Sequence, residues 1–141
     1  MGSLSMERAS LDRRPKPDSE TRLRAFRATD TFAIEAYQVV RSLGQTDGAG
    51  LAREIRRVVA RSGGALVAAS AATPGGEAER RELELARAGL LEVRYYLYLA
   101  RRLGFLDLKR YRSLAQQQDA ALREVESLLS SMEGVANRSP P

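Results

Sequence analysis

A chain of 141 residues can bury one core but not two, and this one contains no Cys, His or Trp. That composition excludes thiol nucleophiles, disulfides, Cys/His zinc sites and every imidazole acid or base. Net charge is +5, and 21 of the 23 basic residues are arginine, whose guanidinium fork suits phosphate and carboxylate.

Residues 1–28 hold seven basic and four acidic residues, against 16 and 14 in the remainder, and they include Pro15 and Pro17 with no sustained apolar period. This segment is read as a flexible basic arm. Arg13, Arg14, Arg24 and Arg27 are its candidate phosphate contacts, with Arg8, Lys16 and Arg22 adding charge. No stretch approaches the roughly 20 apolar residues of a membrane span, and no signal-peptide apolar region opens the chain. The expected location is the cytoplasm, with no membrane partner.

A first helix is predicted over 30–43, capped by Thr29 or Asp30, with Phe32, Ala36, Tyr37, Val40 and Leu43 on one face before Gly44. Gln45, Thr46, Asp47 and Gly48 read as a turn. The second helix, over 49–72, places Leu51, Ile55, Val58, Val59, Leu66 and Val67 at helical spacing. Gly63 and Gly64 interrupt it at a cost of about 2 kcal/mol relative to alanine, so packing is expected to demand a kink or close backbone approach there.

The third helix, over 77–103, carries a heptad seam of Leu83, Ala86, Leu90, Val93, Leu97, Ala100 and Gly104. It would be roughly 40 Å long, matching a fourth helix over 107–133 with Leu114, Ala121, Leu122, Val125, Leu128, Leu129 and Met132. The short Phe105-Leu106-Asp107 connection forces a hairpin. An all-α, up-down-up-down antiparallel four-helix bundle over 29–133 follows, with 134–141 as a flexible tail.

No metal or cofactor is expected: a diiron bundle needs Glu-x-x-His pairs. Nor does Gly75-Gly76 open a phosphate loop. Glu82 with Glu84, and Glu124 with Glu126, stand two apart and point to different faces, so neither pair makes a carboxylate dyad. The expectation is a protein that is not an enzyme.

Arg53, Arg57 and Arg61 recur every four residues on the second helix, with Arg56 beside them. Their repulsion calls for compensation, either by carboxylates from neighbouring helices or by a bound polyanion. Glu54 reads as poorly placed on that face. On the third helix, Leu85, Ala88, Glu92, Tyr95 and Leu99 form a second stripe beside the core seam, expected to be buried between subunits. Glu92 lacks a basic residue three or four positions away and so calls for a partner from elsewhere. Nothing resembles a recognition helix presenting Asn, Gln and Arg to base edges, and the tyrosines that could stack bases are assigned to packing, so weak sequence preference is predicted.

Ile55-Arg56-Arg57-Val58-Val59, Leu90-Leu91-Glu92-Val93, and Leu99-Ala100-Arg101-Arg102-Leu103-Gly104-Phe105-Leu106 followed by Tyr111 and Leu114 resemble the 23S rRNA-intervening-sequence protein family. They are also similar to the accessory proteins of diversity-generating retroelement reverse transcriptases. The resemblance spans about Phe32 to Met132. Where the family has a Ser-Asn-Ile-Ala-Glu-Gly stretch, this chain reads Gly64-Ala65-Leu66-Val67-Ala68-Ala69, and the family's Gly-Ser pair is Ala88-Gly89 here. The resemblance implies a homo-oligomeric, pentameric ring that binds RNA or DNA and partners a reverse transcriptase. It also makes Arg56 and Arg57 the first expected partners of Glu92. The rival expectation is a protein-interaction ring that binds no nucleic acid.

Overall fold

Apolar residues spaced three and four apart produce four helices among the described residues: α1 Ser19–Val40, α2 Ala49–Ala71, α3 Glu77–Arg102 and α4 Leu108–Arg138. The computed structural model describes residues 19–43 and 47–138, with side chains as far as 133, and no strand occurs among them. The expected Gly44 stop and the Gln45-Thr46 part of the turn lie outside the described residues.

Each helix packs on its two chain neighbours, with α1 against α4 closing the ring, and diagonal helices make no backbone approach among the described residues. Ion pairs and hydrogen bonds fix the directions. On α1 and α4, Arg24 reaches Glu124 while Glu35 accepts from Ser113, so one index rises as the other falls. Arg87 with Glu126 and Arg94 with Asp119 repeat that pattern on α3 and α4. Helices crossed this way are antiparallel neighbours, the arrangement that short connections favour.

The predicted seams form the core. Leu83, Ala86, Leu90, Val93, Leu97 and Ala100 are buried together with Phe32, Ile55, Val58, Leu114, Val125 and Met132. Tyr37 and Val67, expected on inward faces, are instead exposed. Gln118 occupies a core position on α4, where its Nε2 donates to the Leu90 carbonyl at 2.8 Å and its Oε1 accepts from Arg94 Nε at 3.4 Å. Satisfaction on both sides lets an amide sit in an apolar layer.

Three expectations need correction. The first helix begins at Ser19, ten residues before Thr29, so residues 19–28 are bundle and not arm. Ala25 and Thr29 are buried on the same line as Phe32, Ala36 and Val40, which makes Thr29 a mid-helix residue and not a cap. At the other terminus α4 runs on to Arg138, into the segment expected to be tail. Finally, Gly63 and Gly64 do not interrupt α2, and a Cβ at either would meet nothing within 4 Å. The close approach is at Gly89, where an added Cβ would overlap Ser62 Oγ and lie 3.6 Å from Val58 Cγ1. That contact seats α3 on α2.

Candidate nucleic-acid interface

Three sets of basic residues face outward. On α2, the four-residue spacing of Arg53, Arg57 and Arg61 lines them along one exposed face. Glu54 lies one turn before Arg57, and its Oε2 accepts from Arg57 Nη2 at 2.7 Å and from Nε at 3.3 Å. The expectation that Glu54 was badly placed is therefore wrong: a three-residue step suits the pair. Glu92 on α3 accepts from Arg61 Nη2 at 3.1 Å and from Arg57 Nη2 at 3.5 Å. Tyr96, one turn along α3, donates its hydroxyl to Glu92 Oε2 at 2.5 Å.

The hydrogen bond and charge of Glu54, with Glu92 adding to them, hold the Arg57 guanidinium above its ordinary value. The hydrogen bond to Glu92, and then burial, push the Tyr96 phenol up. Of the two expected partners of Glu92, Arg57 pairs with it and Arg56 does not; Arg61 is the partner that sequence reading missed. Arg53 and Arg56 carry no ion pair among the described residues. Half of this group is neutralised and half is free.

The second set belongs to the expected arm. Arg13 and Arg14 lie outside the described residues. Arg24 and Arg27 stand on the first turns of α1, where Arg24 lies 3.7 Å from Glu124 and donates to Thr21 Oγ1 at 3.3 Å. Arg27 is exposed without an ion pair among the described residues.

The third set was not singled out from sequence, although its signal is there. Residues 94–112 hold six basic residues against one acidic residue, together with four of the five tyrosines. This stretch is the α3–α4 hairpin. Gly104 at φ +81° lets Phe105 N–H bond the Ala100 carbonyl at 2.9 Å and Gly104 N–H bond that of Arg101 at 3.1 Å, which closes α3 with a Schellman turn. Asp107 then caps α4 by accepting from Arg110 N–H at 2.8 Å.

Asp107 also lies 3.8 Å from the Arg110 side chain, and Arg94 reaches Asp119 at 3.8 Å. Arg101, Lys109 and Arg112 have no ion pair among the described residues. Arg102 stacks on Tyr98, with its guanidinium carbon 5.8 Å from the ring centre, and donates to the Tyr98 hydroxyl at 3.2 Å. Tyr98 also lines a groove of about 420 Å³ together with Leu91, Arg94, Tyr95 and Tyr111.

The expected contact stripe faces outward. Leu85 is 46% exposed and Tyr95 58% exposed, Ala88 is exposed, and Glu92 and Leu99 are partly so. Among the described residues no group of three His, Cys, Asp or Glu could hold a metal ion. Among the same residues no helix is long and apolar enough to cross a membrane.

No family model matches the sequence, and no curated protein does either. Among solved structures the chain is similar to a protein of unknown function from the S23 ribosomal protein family of Bacteroides thetaiotaomicron. The two superpose with a TM-score of 0.67 at 16% identity, over 78% of this chain and 98% of that one. The likeness is one of fold.

Proposed function

We propose that the protein is a non-enzymatic, self-associating accessory factor that binds RNA or DNA through backbone phosphates. One observation carries the reading: the α3–α4 hairpin gathers Arg101, Arg102, Lys109, Arg110 and Arg112 against the single carboxylate of Asp107. Cations left without carboxylates suit a polyanion, whose counterions they displace on binding. Arg53, Arg56 and Arg27 extend the charge, and a ring would multiply it.

Self-association is supported by the stripe of exposed Leu85, Ala88 and Tyr95 with partly exposed Leu99, which a second copy would remove from water at about 25 cal/mol per Å². A pentamer, and a reverse transcriptase of a diversity-generating retroelement as partner, are proposed from the sequence resemblance. The pairing of Arg57 and Arg61 with Glu54 and Glu92 favours the rival reading, a protein-interaction ring, for that part of α2.

Binding of RNA and DNA by fluorescence anisotropy across a salt series separates the two readings. Affinity should fall steeply with salt, the log–log slope on duplex DNA reporting about 0.9 per phosphate contact. No binding at low salt would leave only the protein-interaction ring. Light scattering tests the assembly, and a monomer at micromolar concentration would show that the stripe had been misread.

A further inference from the structure

The hairpin groove has a composition that phosphate binding does not require. Backbone phosphates need cations, yet the walls here are the rings of Tyr95, Tyr98 and Tyr111 with Leu91 beside them. Tyr98 is 45% exposed. Rings left in water around a concave surface have unspent stacking capacity, and every nucleic-acid base offers a flat face to it whatever its sequence. In a duplex those faces are already stacked on their neighbours, so only an unpaired strand can present one.

We infer that the groove between α3 and α4 is a stacking site for a base of single-stranded nucleic acid, held by Tyr98 with Tyr111 and Tyr95 as its walls. This rests on the proposed binding of nucleic acid and names the form of strand that is bound. Charge complementarity selects that occupant over a neutral aromatic ligand. Arg94 lines the groove, Arg102 stacks on Tyr98, Arg101 stands on the same turn of α3 as Arg102, and Lys109 to Arg112 begin the facing helix. The acidic groups nearby are engaged: Asp119 is shared by Arg94 and by Arg123 at 3.2 Å, and Asp107 holds its cap. A strand with one base in the groove would lay its phosphates among these cations.

Apart from Tyr95, which belongs to both, the groove is separable from the proposed subunit contact: Glu92 turns towards α2 through Arg57 and Arg61, whereas Tyr98 shares the groove with Tyr111 of α4. Tyr98, assigned to packing from the sequence, is 45% exposed in the single chain.

The test compares a fluorescent oligothymidylate with a duplex of equal length, using the full chain and its Tyr98→Ala and Tyr98→Phe variants, none of which differs in charge. Tyr98→Ala should weaken the single strand about 5- to 150-fold relative to the duplex, the worth of one stacked base. Tyr98→Phe keeps a ring and should stay close to the parent. Because the chain contains five Tyr and no Trp, the strand should also quench tyrosine emission directly, and Tyr98→Ala should lose part of that quenching. Equal single-strand binding by parent and Tyr98→Ala overturns the groove assignment while leaving phosphate binding intact. A change in particle mass with Tyr98→Ala also overturns it, by making the groove a contact between copies. A parent chain that binds neither strand removes the proposed function, and the groove assignment falls with it.

Discussion

Arg22 and Glu79 join two helices whose backbones do not approach one another. Glu79 is 2% exposed; its Oε2 accepts from Arg22 Nε at 3.0 Å, and its Oε1 accepts from the Gly75 N–H at 2.8 Å. One carboxylate thus ties the start of α3 to the turn before it, where Gly75 takes φ +78°, and to α1 across the end of the bundle. Arg22→Ala should leave that carboxylate buried with one partner lost, lowering stability by about 3 kcal/mol. Urea denaturation should show a lower midpoint at constant slope. An unchanged midpoint would mean that water replaces the guanidinium without cost.

The early start of α1 makes a second expectation. A chain beginning at Thr29 lacks Arg22 and the buried Ala25, whereas one beginning at Ser19 keeps both. The shorter chain should melt about 10 °C below the longer in a thermal scan monitored by circular dichroism. Equal melting temperatures would show that the first turns of α1 contribute nothing to the bundle.

Glycine substitutions should divide by location. Gly89→Ala drives a Cβ into Ser62 Oγ and should destabilise by about 1–3 kcal/mol, a loss that Ser62→Ala should largely relieve in a double-mutant cycle. Gly63→Ala and Gly64→Ala enter open space within a helix and should each stabilise by about 0.5–1 kcal/mol. Destabilisation at Gly64 together with a smaller particle in light scattering would place that position in a contact between copies.

Glu92→Gln releases Arg57 and Arg61 from a partly exposed ion pair, so the stability loss should stay below about 1 kcal/mol and not reach the several kcal/mol of a buried pair. If the arginine face of α2 contributes to phosphate binding, the same variant should bind nucleic acid more tightly, with a steeper salt dependence. Unchanged affinity would restrict binding to the hairpin and α1.

Tyr96 offers a pH readout. Its phenol is pushed up by the hydrogen bond to Glu92, so the folded chain holds that proton more tightly than the unfolded chain. The contribution is fully present below the ordinary tyrosine value near 10 and is lost as pH rises through the higher folded value. Subtracting the alkaline absorbance titration of Tyr96→Phe from that of the parent should reveal a phenol ionising above about 10. A difference curve centred at or below 10 would show that the hydrogen bond does not persist in solution.

The sequence by itself determined the four helices of the described residues, where α2, α3 and the turns after them lie, and most of the core, because an i, i+3, i+4 apolar pattern is a local property. Leu83 through Ala100 on α3 and Leu114 through Met132 on α4 could be read off with large side chains marking every turn. The start of α1 could not, because its inward line is Ala25, Thr29, Phe32, Ala36 and Val40, and small or polar residues give little contrast with the opposite face. Thr29-Asp30 has the composition of a cap, and only burial by neighbouring helices shows otherwise. Arginine pairing was equally out of reach. Glu92 meets Arg57 and Arg61, and not Arg56, because the Gly89–Ser62 contact sets how far α3 slides along α2. The hairpin groove likewise needs Tyr111 on one helix to stand against Tyr98 on another. Spacing along a helix is fixed by its own residues, but the register between two helices is fixed by what packs between them, and only the tertiary structure decides that.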